Sequence, residues 1–84
     1  MNARHRRTLL RIFEKPDRSD IRWSEIEALF TALGATIQEG RGSRVRILFR
    51  GIPLTFHRPH PHNVINKSTL KDIRYFLKEM EIEP

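Results

Sequence analysis

Apolar residues recur along this chain with two different periods, and the change from one to the other divides it into helical and extended parts. Between Arg4 and Lys15, the residues Leu9, Ile12 and Phe13 fall at helical spacing among basic neighbours, and Pro16 closes the segment. This predicts a short amphipathic helix. Asp17 to Asp20 read as a polar linker, and Ile21 and Trp23 lead into Ser24-Glu25-Ile26-Glu27. That tetrad has the form of a capping box, with the Ser24 hydroxyl accepting from the Glu27 amide and the Glu27 carboxylate reaching back to the amide of Ser24. Ile26, Leu29, Phe30 and Leu33 continue as an apolar stripe, and Gly34 supplies the left-handed position that ends a helix.

After Gly34 the period drops to two. Ala35, Ile37 and Glu39 alternate with Thr36 and Gln38 in a short strand, and Gly40-Arg41-Gly42-Ser43 makes a loop. Val45, Ile47 and Phe49 alternate with Arg44, Arg46 and Leu48; Ile52, Leu54 and Phe56 alternate with Pro53, Thr55 and His57. A two-residue turn at Arg50-Gly51 pairs Phe49 with Ile52, Ile47 with Leu54 and Val45 with Phe56, making one face wholly apolar. The same register sets Arg46 opposite Thr55 and Arg44 opposite His57 on the other face, where opposed β-carbons lie about 5 Å apart. Beyond a proline-broken loop, Asn66 or Ser68 caps a last helix whose buried stripe is Leu70, Ile73, Phe76, Leu77 and Met80. The expected fold is α+β in the order α-α-β-β-β-α, helices covering the apolar face of a three-stranded antiparallel sheet and leaving its basic face open.

Eighty-four residues make one domain, 1–84, with 1–20 an N-terminal helical extension and linker. A chain of this size buries too little surface for a deep, enclosed site, so its chemistry belongs on the surface. Sixteen Lys and Arg against ten Asp and Glu, with a pI near 10.8, fit a polyanionic partner: nucleic acid first, an acidic protein second, an anionic membrane third. With no cysteine there is neither a disulfide nor a thiolate site, which agrees with a reducing cytoplasm. No run is long enough to cross a membrane, and Met1 to Arg11 lacks the apolar core of a signal peptide, so a soluble, cytoplasmic protein is expected.

The positive charge is concentrated. From Gly40 to Lys71 the cations Arg41, Arg44, Arg46, Arg50, Arg58, Lys67 and Lys71 face no Asp or Glu. Mostly arginine, whose planar fork matches phosphate oxygens, they form the expected nucleic-acid footprint together with Ser43; Lys67 and Lys71 add to the anion-attracting start of the last helix. In the same stretch His57, His60 and His62 fall within six residues. Imidazole gives or takes a proton near neutral pH, so His57 is a candidate general base and His60 a candidate acid. The rival reading is a metal site. Two stiffening prolines, the lack of a nearby carboxylate or cysteine and the surrounding cations weigh against it, so neither metal nor small-molecule cofactor is expected. Phe30, Phe49, Phe56 and Phe76 have core spacing, whereas Trp23 is open between core and base-stacking roles.

Trp23, Gly34-Ala35, the loop Gly40-Arg41-Gly42-Ser43, the run Phe56-His57-Arg58-Pro59-His60-Pro61 and the helix opening Lys67-Ser68-Thr69-Leu70 together resemble the HicA family of toxins, over roughly residues 21 to 80. The resemblance implies a fold like the double-stranded RNA-binding domain, metal-independent endoribonuclease activity on mRNA, bacterial origin and a HicB-like antitoxin partner. Usual members carry a histidine directly after the Gly-Ser pair, taken as catalytic. Here that position is Arg44. The family's catalytic residue therefore does not carry over, but the hairpin register sets His57 across the ladder from the vacated position. The leading expectation is a toxin that binds RNA on its basic face and cleaves it with His57, assisted by Arg44 or Arg46. The alternatives are a non-catalytic RNA-binding module on the same scaffold and a basic docking domain for an acidic protein.

Overall fold

The structure, a computed structural model, describes Met1–Pro84. Asn2 opens the first helix, its side-chain oxygen accepting from the His5 amide at 2.9 Å, and α1 runs Ala3–Phe13. Helix α2 spans Trp23–Ala32. Its start corrects the expected capping box. The carboxylate that reaches back is Glu25, which accepts the Arg22 amide at 3.0 Å, so the helix begins one residue before Ser24 and Glu27 is released for a different task. Gly34, at φ +98°, then turns the chain out of α2.

Strands β1 (Thr36–Glu39), β2 (Arg44–Phe49) and β3 (Ile52–His57) form one antiparallel sheet in the order β1-β2-β3. The hairpin register is the expected one at every pair, from Phe49 opposite Ile52 to Arg44 opposite His57. Arg50 and Gly51 both have positive φ, 51° and 78°, which matches a type I′ turn whose twist suits the strands. Counting from that turn, Pro53 stands at a position whose missing N–H would face the free sheet edge, so the ladder loses nothing. Helix α3 runs Lys67–Glu79 and is capped by Asn66, which accepts from the Thr69 amide at 2.8 Å.

Fifteen apolar side chains form one core, drawn from α1 (Leu9, Ile12), α2, β2 and α3, with Ile21 and Ile65 added from the segments leading into α2 and α3. Each such side chain is worth about 1.5–3 kcal/mol of burial. Trp23 belongs to this core, its ring edge-on to Phe56 at 5.9 Å. The apolar face of the hairpin is covered unevenly: Val45, Ile47 and Phe49 on the central strand are buried, but Ile52 on the edge strand is 40% exposed. The architecture is α+β in the order α-α-β-β-β-α, similar to the double-stranded RNA-binding domain, with the helices on one side of the sheet.

The first twenty residues are held more firmly than a helical extension and linker require. Arg74 of α3, buried among the helices, donates through Nε to the Ile12 carbonyl and through Nη2 to Asp17, each at 2.8 Å. The guanidinium holds the Asp17 carboxyl below its ordinary range. Arg11 adds a bond of 2.6 Å to Glu25 at the start of α2.

Candidate nucleic-acid interface and histidine cleft

The outer face of the sheet presents Arg44, Arg46, Gln38 and Thr55, all exposed. Neither Arg44 nor Arg46 makes an ion pair. Two features of the β1–β2 loop set Arg44 in place. The Gly40 amide donates to the Arg44 carbonyl at 2.8 Å, and a β-carbon at Gly40 would lie 3.2 Å from that of Arg44, so only glycine lets the loop close here without displacing the arginine. Together Gln38, Glu39, Gly40, Arg44, Arg46, Pro53 and Thr55 line a shallow groove of about 440 Å³, in which the single acid, Glu39, is paired with Arg58.

Directly across from Arg44 stands His57. The Arg58 amide donates to the Ser43 carbonyl at 2.8 Å, the bond that flanks a non-hydrogen-bonded pair, in which opposed side chains approach most closely. The His57 ring is turned so that Nδ1 lies 3.4 Å from the Ser43 hydroxyl. In the tautomer where Nδ1–H donates to Ser43 Oγ, Nε2 is left with its lone pair to accept a proton.

His57 also lines a second cleft, of about 400 Å³, whose walls include His60, His62, Ser19, Asn66 and Thr69. The loop carrying the histidines is pinned to the start of α2: the Trp23 amide donates to the Asn63 carbonyl at 2.7 Å, the Ile65 amide to the Ile21 carbonyl at 2.9 Å, and Arg22 forms a bridge with Val64. All three histidines thus meet in one cleft, including His62, which its distance along the loop sets apart. Ser19, Asn66 and Thr69 carry no local signal for this site. Asn66 reads only as a helix cap, and the closure that brings it to the histidines is tertiary. No group of three His, Cys, Asp or Glu side chains converges closely enough to hold a metal ion.

The remaining basic residues separate by what they touch. Arg58 lies in an acid-free stretch of sequence, yet its Nη2 donates to Glu27 at 3.3 Å and to Glu39, which holds the Glu39 carboxyl below its ordinary range. Its charge is therefore largely committed within the fold. Arg50 leans to the helical side, over the Phe49 ring, and donates to the Met80 carbonyl at 3.3 Å, away from the open face. Arg41 is exposed in the loop beside Ser43, with no ionic partner. Lys67 and Lys71 are exposed at the start of α3, in and just beyond the turn whose Asn66 and Thr69 line the cleft.

The groove and the cleft meet at the Arg44–His57 pair, a cation beside a proton acceptor on an open basic surface. Residues 23–82 match the sequence-family model described as HicA toxin of bacterial toxin-antitoxin. No curated protein and no solved structure matches the chain. The match starts at Trp23, so α1 and the linker with Asp17 lie outside it.

Proposed function

Since the chain belongs to the HicA toxin family, whose members act in toxin–antitoxin pairs, we propose that it is a metal-independent endoribonuclease acting at the Arg44–His57 pair. Membership itself implies an antitoxin partner; in our reading that partner is HicB-like, and it silences the toxin by covering the basic face. RNA lies along the groove with a phosphate beside Arg44 and Arg46. His57 Nε2 takes the proton of the adjacent ribose 2′-hydroxyl, the 2′-oxygen attacks phosphorus, and the bond to the 5′-oxygen breaks. His60, across the cleft, donates the proton that the leaving oxygen requires. The products are a 2′,3′-cyclic phosphate and a 5′-hydroxyl end. Arg44 offsets the charge that grows on the phosphoryl oxygens. Arg44 and the Ser43 hydroxyl hold the base between a cation and an orienting partner, and that juxtaposition in a HicA-family chain is the observation on which the reading rests.

The test is RNA cleavage by His57→Ala, His60→Ala and His62→Ala proteins in the presence of a chelator. His57 is exposed, so its removal leaves no core cavity and the fold should persist. Loss of a positioned base should slow cleavage about a hundredfold or more. A folded His57→Ala protein as active as the parent would overturn the assignment, and an inactive His60→Ala protein beside it would transfer the role. Cleavage abolished by chelator would overturn the metal-free step. Retained RNA binding with no cleavage by the parent would leave the non-catalytic RNA-binding module.

A further inference from the structure

We propose that the solvent face of α1 is a second phosphate-contact surface, continuing the RNA path from the histidine cleft across Arg22 to Arg4, Arg6 and Arg7. The inference rests on the RNA-binding reading above and extends it to an element outside the family match.

Charge pairing in the N-terminal region is selective. Each acid there has a basic partner: Glu14 with Arg18, Asp17 with Lys15 and Arg74, Asp20 with Arg18 and Arg11, and Glu25 with Arg11. The surplus is Arg4, Arg6, Arg7 and Arg22, all exposed and none in an ion pair. Helix α1 contains no acid, and three of these arginines stand near its N-terminus, where the helix dipole disfavours positive charge. Fold stability does not account for them there. A polyanion does, since each guanidinium offers a fork for phosphate oxygens.

Topology makes the path continuous. Arg4 and Arg22 line a groove with Arg11, Asp20, Ser24 and Glu25, between α1 and the start of α2, and both of its carboxylates are already paired with Arg11 or Arg18. That groove and the histidine cleft share a wall: Ser19 lines the cleft and Asp20 the groove, while Val64 lines the cleft and pairs with Arg22 of the groove. A single strand leaving His57 past Val64 therefore meets Arg22, then Arg4, then the outer arginines of α1.

The test uses the full chain carrying His57→Ala, so that RNA survives the measurement, with and without Arg4→Gln, Arg6→Gln and Arg7→Gln together. Binding of oligouridylate of about 4 and about 16 nucleotides is followed by anisotropy across a salt series, spanning the usual range of single-strand site sizes. The triple substitution should weaken the longer RNA about tenfold or more at low salt and lower its log–log salt slope by about two units, as three lost single-strand phosphate contacts require, with little change for the shorter RNA. An unchanged slope and affinity for the longer RNA overturns the inference, as does equal weakening at both lengths. Unchanged RNA binding with lost binding of polyglutamate overturns it in favour of an acidic protein. A parent that binds neither RNA defeats the RNA reading itself, a result distinct from failure of the substitutions alone. Thermal melts of each protein verify the fold.

Discussion

Arginine serves opposite ends on the open sheet face and in the seam between α1, the linker and α3. In the seam, Arg74 and Arg11 are bound to carboxylates and a carbonyl at 2.6–2.8 Å, and Arg74 is buried. On the sheet, Arg44 and Arg46 stand exposed and outside any ion pair, the one acid of their groove, Glu39, being paired with Arg58. A paired, buried guanidinium fixes two segments to each other; an unpaired, solvated one keeps its donors for a ligand. Composition cannot distinguish the two uses. Pairing in three dimensions can.

Removing residues 1–22 should break the seam most severely. It strips Leu9, Ile12 and Ile21 from the core and removes both partners of Arg74, so residues 23–84 alone should show no cooperative thermal transition and no near-ultraviolet circular dichroism. A cooperative melt of that fragment would mean that α1 is an appendage. Ile12→Ala isolates the packing share: the side chain is fully buried, and its truncation should cost about 2–5 kcal/mol in urea unfolding. A cost near zero would contradict a shared core.

On the open face the expected signature is reversed. Arg44→Ala with Arg46→Ala should leave the melting temperature in place while lowering the salt slope of RNA binding by about 1.4 units, the share of two single-strand phosphate contacts. Arg58→Ala sharpens the contrast, because its ties to Glu27 and Glu39 predict a smaller change in salt slope and some loss of stability. A large slope change from Arg58→Ala would move it into the RNA footprint.

The smallest effect is on pH dependence. Hydrogen bonds from Arg74, Arg18 and Arg58 hold Asp17, Asp20 and Glu39 below their ordinary values, Asp20 to about 2; at Glu25 burial acts upward, but the Arg22 amide and Arg11 outweigh it. Carboxylates depressed in the folded state contribute stability that is complete above their unfolded values and is lost as pH falls through the folded ones. Thermal stability should therefore hold down to about pH 4 and decline from there toward about pH 2. A protein equally stable at both ends of that window would show these pairs to be idle.

The sheet was legible because two local signals agree. Alternation assigns faces, and Arg50-Gly51 fixes the turn length, which together set all six hairpin pairs and hence the meeting of Arg44 with His57. The capping box at Ser24 failed because two glutamates stand near the helix start, and the choice between them depends on where the Arg22–Val64 bridge lets the helix begin. Arg58 looked free because its acids lie 31 and 19 residues away along the chain, beyond any local count of charge. The closing of the three-histidine run onto Ser19, Asn66 and Thr69 was hidden for the same reason. It needs the loop tied to Ile21 and Trp23, and nothing within the loop specifies those ties.

Trp23 is the sole tryptophan of the chain, buried with its indole edge-on to Phe56 and its amide held by the Asn63 carbonyl. Phe56 precedes His57 and Asn63 follows His62, so the residue touches one flank of the histidine cleft with its ring and the other with its backbone amide. The protein thus contains its own fluorophore behind the proposed catalytic wall. Changes in its emission would track occupancy of that cleft by an oligonucleotide or an antitoxin, with no label attached.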